Sequence, residues 1–270
     1  MGPAGAGKST FCEIMEKHCV SLKRPIHIVN LDPAAENFSY TVSIDIKNLI
    51  TIDDVMEEMN YGPNGALVYC MEYLVSNMDW LKEELGHYED DYLIFDLPGQ
   101  IELYSHIPVM NKVVNLLKDL GFNLCCVYLL DAHFMSDNNK FLSGALQALS
   151  AMIHLETPHV NVITKMDLLP PGSDESEFFE KYFEADVPLI LAEMYKPKES
   201  KWDRLTTLLA QVIQEYNMVN FYPLNPSDEE SVNMVLMNID HAMQYGEDEE
   251  PKEPKDENDF LNENQNENND

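Results

Sequence analysis

The chain has 270 residues, 45% of them hydrophobic, which is enough to bury a sizeable core and excludes wholesale disorder. Seventeen basic residues face 48 acidic ones, and the net charge of −31 argues against generic nucleic-acid or membrane-surface binding. Five cysteines with no CxxC pair suit reduced thiols in a cytosolic or nuclear protein, and no apolar run approaches the ~20 residues of a membrane-spanning helix.

The opening MGPAGAGKST reads as neither a secretory nor a transit peptide. Helical periodicity covers Lys8–Ser21, and a strand follows at Ile26–Asn30. Next come a helix at Gly65–Leu85, a strand at Tyr92–Asp96, a helix at Ile107–Leu120 and a strand at Asn123–Leu130. A helix at Asp137–Ile153 leads to a strand at His159–Thr164. Pro170-Pro171-Gly172-Ser173 then breaks the pattern and opens an acidic helical insertion, about 173–201. The last elements are a helix at Trp202–Tyr216, a strand at Val219–Tyr222 and a helix at Asp228–Gln244. In that helix Val232, Met234, Val235, Met237, Ile239 and Met243 form a stripe expected to pack on the sheet.

The strands are apolar on both faces, as parallel strands covered by helices should be, so the pattern predicts a doubly wound α/β fold. One domain is expected at 1–246, followed by a tail at 247–270. That tail sets eleven acidic residues against two lysines and cannot repay the entropy of ordering, so it is expected to be disordered. Cys125-Cys126 falls within a strand and reads as core filler, and the histidines lack zinc-ligand spacing.

Gly2 to Ser9 fits GxxxxGK[ST] in full. Glycines let successive backbone N–H groups close around a phosphate, and the helix behind them aims its positive end at it. Gly5, Ala6, Gly7, Lys8, Ser9 and Thr10 are the candidate phosphate contacts, with Lys8 reaching the β/γ oxygens and Ser9 placed on Mg²⁺. Such a loop ordinarily leaves the end of a central strand, and here only Met1 precedes Gly2. The first strand is therefore read as missing, with exposed edges on its neighbours and a poorly anchored loop expected.

Asp96-Leu97-Pro98-Gly99-Gln100 closes a strand. Asp96 there can hold a metal, Gly99 can offer its N–H to a γ-phosphate, and Gln100 can orient water. Thr164-Lys165-Met166-Asp167 follows another strand. A carboxylate at Asp167 matches the two donors of guanine and mismatches adenine, and the Lys165 stem can lie across the base. Thr164, where Asn is commoner, loses an amide that could brace the phosphate loop. Asp32-Pro33-Ala34-Ala35 fits either a helix start capped by Asp32 or a carboxylate near the γ-phosphate. Gly62-Pro63-Asn64-Gly65 fits a turn with Asn64 as N-cap.

Taken together, GPAGAGKST, NLDPAAENF, YGPNGALVYCMEY, FDLPGQIELY, TKMDLL and FYPLNPSDEES resemble the GPN-loop GTPases over roughly residues 1–246. The resemblance implies a P-loop NTPase with a mostly parallel sheet flanked by helices on both faces, and Mg²⁺-dependent hydrolysis of GTP. It implies a dimer with a paralogous GPN-loop subunit, each subunit's Gly62-Pro63-Asn64 loop entering the partner's nucleotide site. Asn64 would act there in trans, while Asp32, Gln100 and Glu102 surround the water or metal and the identity of the base stays open. Phe221–Asn225 falls where the family's last base-contacting loop lies. The resemblance further implies a role in assembling RNA polymerase II and delivering it to the nucleus, by a cytoplasmic protein that shuttles. Two other classes fit parts of the sequence: a non-hydrolysing assembly subunit, and a metal- or cofactor-handling ATPase expected to prefer ATP and carry a thiolate pair at its dimer seam.

Overall fold

The computed structural model describes residues 1–88, 91–169, 176–194, 201–216 and 219–246. The predicted tail at 247–270 and the Pro170-to-Ser173 break lie outside the described residues. Two three-stranded parallel sheets carry the fold. In one, β1 (Ile26–Asn30) lies between β2 (Val42–Asp45) and β3 (Tyr92–Asp96). In the other, β5 (His159–Thr164) lies between β4 (Cys126–Asp131) and β6 (Phe221–Pro223). Register sets Asn30 opposite Asp96 and Asp131 opposite Thr164, so polar residues collect at the carboxyl ends of the strands. That edge is where ligands bind in open α/β sheets.

The helices are α1 (Lys8–Ser21), α2 (Ile52–Met59), α3 (Pro63–Ser76), α4 (Met78–Leu85), α5 (Glu102–Ser105), α6 (Val109–Asp119), α7 (Asn138–Leu155), α8 (Ser176–Phe183), α9 (Val187–Met194), α10 (Lys201–Glu215) and α11 (Glu229–Met243). Local chemistry sets several of their starts. The Asp137 carboxylate accepts from the N–H groups of Asn139 and Lys140 at α7, and Asp228 from that of Glu230 at α11. One core joins α3, α6 and α7 to the strands through Leu74, Val113, Phe141 and Leu149. A second lies beneath α1 and α11, where Met15, Cys19, Val162, Val235 and Leu236 are all nearly inaccessible. Each such large side chain contributes roughly 1.5–3 kcal/mol.

Several boundaries and elements differ from expectation. The single helix expected over Gly65–Leu85 is two, because the chain leaves helical geometry at Asn77 (φ −123°, ψ 42°). β2 and α2 have no counterpart in the predicted elements: β2 has only four residues, and α2 keeps a single buried side chain, Val55. On α11 the buried face is Val232, Val235, Leu236 and Ile239, while Met234 and Met237 point to solvent. No helix among the described residues is long and apolar enough to cross a membrane.

The sheet is interrupted between β3 and β4, which do not pair with each other. A cavity of about 360 Å³ occupies the gap, lined by Met1, Ile94, Phe95, Cys125, Val127 and Leu129. Met1 occupies one rung of it. Its ammonium donates to Val127 O at 2.8 Å and its carbonyl accepts from Leu129 N–H at 2.8 Å, the alternation of a parallel ladder. Burial pulls that ammonium down to about 6. Gly2 follows with φ +141°, and a Cβ there would stand 2.4 Å from Leu129 O. The exposed edge was expected; the poorly anchored loop is not what is found, since one β-rung and a glycine contact fix its start. At the other end of the gap Arg24 lies between the rings of Tyr92 and Tyr245, 4.1 and 4.0 Å from their centroids. It donates to both carboxylate oxygens of Asp240, at 2.6 and 2.8 Å. This clasp ties β3 to α11 and so joins the two sheets.

Candidate functional site

The loop before α1 turns through left-handed glycines, Gly5 at φ +76° and Gly7, the N-cap of α1, at φ +84°. That conformation is open to glycine at little cost and presents the free N–H groups of the first helical turn to the loop's concave side. Ala6 N–H closes the turn onto Pro3 O at 3.1 Å, and Lys8 Nζ donates to the same carbonyl at 3.2 Å. Burial lowers the Lys8 ammonium, while Asp96 and Asp32 oppose that by their charge. Ser9 and Thr10 are exposed on the same turn.

The second wall comes from β3. Asp96 is 2% exposed; its Oδ2 accepts from the Tyr40 hydroxyl at 2.8 Å and its Oδ1 is buried without a hydrogen-bond partner. Beyond it the chain presses against the phosphate loop: a Cβ on Gly99 would meet Ala4 Cα at 2.8 Å and Lys8 Nζ at 2.9 Å. The Tyr104 hydroxyl of α5 donates to Pro98 O and holds this turn from beneath. Asp32 caps no helix. Its Oδ1 accepts from Ala34 N–H at 2.9 Å in a side-chain turn, and Asn30 grips its backbone at both N–H and C=O. Burial raises the Asp32 carboxyl, with the Ala34 N–H opposing it.

Asn64, Gln100 and Glu102 line one open cleft with Pro3, Ala4 and Gly99, and Gln100 Nε2 donates to Asn64 Oδ1 at 3.1 Å. Asp32 is not among the residues lining that cleft. Asn64 is not the N-cap of α3: Gly62 is, with Pro63 at the first helical position, where a missing N–H costs nothing. The Asn64 side chain thereby stays out of capping.

The base-side segment meets the phosphate loop directly. Thr164 Oγ1 donates to Ala6 O at 2.8 Å, so a hydroxyl supplies the brace whose loss the sequence suggested. Lys165 adopts a left-handed conformation (φ +61°) and its Nζ is 2.6 Å from Asp131 Oδ2, which fixes the stem's direction. Leu224 pairs on both sides, its N–H to Ile163 O at 2.8 Å and its carbonyl to Met166 N–H at 3.4 Å, so 221–225 docks beside the Thr164-to-Asp167 segment. Asp167 is exposed in the 3₁₀ turn Met166–Leu168.

Among the described residues no group of three or more His, Cys, Asp or Glu side chains gathers into a metal-binding cluster. The arrangement instead fits a Mg²⁺ held by one or two protein oxygens plus phosphate, the habit of that ion. Asp96, with an unpartnered buried oxygen, and Ser9 could hold it. Burial pushes the Cys125 thiol up to about 12 and raises Cys126, which is the opposite of a thiolate pair. Tyr40 and Asp131 carry no motif and were not candidates, and Asn30, which opens NLDPAAENF, was not singled out. For Asn30 and Asp131 the one available signal was their place at a strand end.

A family described as "Conserved hypothetical ATP binding protein" matches residues 1–245. The chain is 54% identical over 261 residues to a protein named GPN-loop GTPase 3 from Dictyostelium discoideum, covering 97% of this chain and 91% of that one. Proteins of the same name from Xenopus tropicalis (53% over 258 residues; 94% and 90% covered) and Schizosaccharomyces pombe (48% over 255; 94% and 92%) are similar over comparable spans. A crystal structure of a GTPase in apo form from Pyrococcus abyssi matches with a TM-score of 0.75 and 26% identity, over 91% of this chain and 95% of that chain. With a phosphate loop, a strand-end aspartate and a braced base-side segment meeting on one edge, and relatives matching nearly end to end, this chain belongs to the GPN-loop GTPase family.

Proposed function

We propose that the chain binds GTP with Mg²⁺ and hydrolyses it by in-line attack of water. The observation that carries this reading is the Thr164–Ala6 hydrogen bond, which joins the guanine-type segment and the phosphate loop into a single site. The loop amides, the N-terminus of α1 and Lys8 hold the phosphates and stabilise the charge that develops on them. Mg²⁺, when bound through Ser9 and Asp96, would neutralise β/γ-phosphate charge. Gln100 orients the water, with Asp32 and Glu102 as candidate acceptors, and Asn64 acts across the dimer, exchanging its hydrogen bond to Gln100 of its own chain for a place in the partner's site. Asp167 selects guanine over adenine.

The active form is a dimer with a paralogous GPN-loop subunit, in which each Asn64 serves the partner's site. Exposed Tyr61 and Tyr73 beside the GPN loop, with Tyr69 edge-on to Tyr61 and stacked on Tyr73, support a protein contact on this face. A role in the assembly and nuclear delivery of RNA polymerase II rests on family resemblance alone. The open gap beside Lys8 and Asp96 favours a second reading for the 270-residue chain, a non-hydrolysing assembly subunit.

Titration with a fluorescent GDP analogue and Mg²⁺, competed by GTP and then ATP, tests the assignment. GTP is expected to displace the probe and ATP to fail; equal displacement by ATP sinks it. In the reconstituted dimer Asn64→Ala should lower kcat by about 100-fold while leaving nucleotide affinity alone. Equal turnover removes Asn64 from the chemistry, and binding without turnover in the native dimer selects the assembly-subunit reading.

A further inference from the structure

Tyr40 closes the connection between β1 and β2, just beyond the NLDPAAENF motif. Its ring is 6% exposed and sits among Cys12 of α1, Ile28 of β1 and Val42 of β2, with Phe38 tilted against it at 5.5 Å. Nothing in that packing requires a hydroxyl, and a phenylalanine would fill the space equally well. Yet the hydroxyl makes one buried contact, donating to Asp96 Oδ2 at 2.8 Å. The other oxygen of that carboxylate, Oδ1, has no partner although it is fully enclosed. The two oxygens of one side chain are thus unequal, one engaged and one vacant of contacts. A buried carboxylate oxygen left unsatisfied is costly, so the asymmetry calls for a ligand. The backbone around Tyr40 is pinned independently, by Thr41 N–H to Glu16 Oε1 at 3.1 Å and by Lys47 Nζ to Ala35 O. The hydroxyl is therefore delivered to Asp96 by a fixed frame.

We propose that Tyr40 is a positioning residue for the metal-binding carboxylate: by occupying Oδ2 it fixes the rotation of Asp96 and leaves only Oδ1 for Mg²⁺ or its bound water. On this reading Tyr40 acts through Asp96. The inference rests on the proposed role of Asp96 as a metal-holding residue. It accounts for a tyrosine where the packing asks only for a ring.

Tyr40→Phe removes one oxygen and keeps the ring, so the fold is expected to survive, which a thermal melt would verify. The primary readout is Mg²⁺ titration of the complex with a fluorescent GDP analogue, alongside nucleotide affinity in EDTA. A hydrogen bond to a charged group is worth ~1.5–3 kcal/mol, so the Mg²⁺ needed for half-saturation should rise by roughly 10-fold or more while affinity in EDTA stays unchanged. In an Asp96→Asn background the same change should do nothing further, a non-additivity that a purely structural tyrosine would not produce. Mn²⁺ bound with GDP, followed by electron paramagnetic resonance, gives a readout independent of turnover, and its spectrum should broaden or shift in Tyr40→Phe. An unchanged Mg²⁺ midpoint, or equal loss of affinity with and without metal, overturns the inference. A native chain whose nucleotide affinity ignores Mg²⁺ overturns the metal reading of Asp96, and the role of Tyr40 falls with it.

Discussion

The two half-sheets are built from similar residues and reach different states. In the β4–β5–β6 half the central strand is buried at every position but its first, and Thr164 at its end is 4% exposed. In the β2–β1–β3 half the strand Tyr92–Asp96 is only partly covered except at Asp96, because its outer edge faces the gap. Composition does not separate them; pairing does. A strand covered on both sides fixes the loop at its end through its own ladder. A strand with one open edge depends on contacts brought in from elsewhere, here Tyr40 on Asp96 and Arg24 on Asp240. The base-side segment is held by its own sheet, whereas the metal-side carboxylate is held by neighbours.

The largest test is to close the gap. Five alternating β-branched residues joined ahead of Met1 should continue its single rung and raise Tm by about 10 °C, while a Gly-Ser extension of equal length should not. A differential scanning calorimetry trace with no difference between the two would show that the gap does not accept a strand, and the contrast between the halves would need another cause.

A second test strikes the covered half through pH. The His159 Nε2 is buried without a partner and burial pulls the ring down to about 4, from 6.5. The unfolded chain therefore takes up the proton first. Stability is full above about 6.5 and is lost as pH falls toward 4, by roughly 3 kcal/mol. Urea midpoints at pH 7 and 4.5 should show the loss in the native chain and a smaller one in His159→Gln; equal losses would clear this histidine.

The smallest effect is expected at the junction of the halves. Thr164→Val deletes the bond to Ala6 O, costing ~1 kcal/mol, or about 5-fold in nucleotide affinity, with the preference for GTP over ATP retained. Calorimetric titration showing unchanged affinity would mean that the two segments act independently.

What could be read from the chain alone followed from periodicity and from motifs whose spacing is contiguous. Lys8–Ser21, Tyr92–Asp96 and His159–Thr164 were placed to the residue. The loop ahead of α1 turns where its glycines fall, because it is built by its own backbone. The break at Asn77 was not legible, since apolar spacing runs on through α3 and α4 while the backbone does not. Of the two accounts of Asn64, the capping one fails because Pro63, which could sit in a turn, takes the first helical position and leaves Gly62 as the N-cap. Tyr40 and Asp131 were invisible for a different reason: each acts on a residue 56 or 34 positions away, and no local pattern encodes such a contact.

The Arg24 clasp sets a limit on how far the chain can be trimmed from its carboxyl end. A version ending at Gly246 keeps both aromatic faces around the guanidinium and the carboxylate that neutralises it. One ending at Gln244 loses a face, and one ending before Asp240 leaves a half-buried cation beside an open apolar channel. Proteolysis advancing inward should therefore be tolerated up to a narrow boundary of a few residues, and beyond it release the edge of β3 and the last helix in a single event.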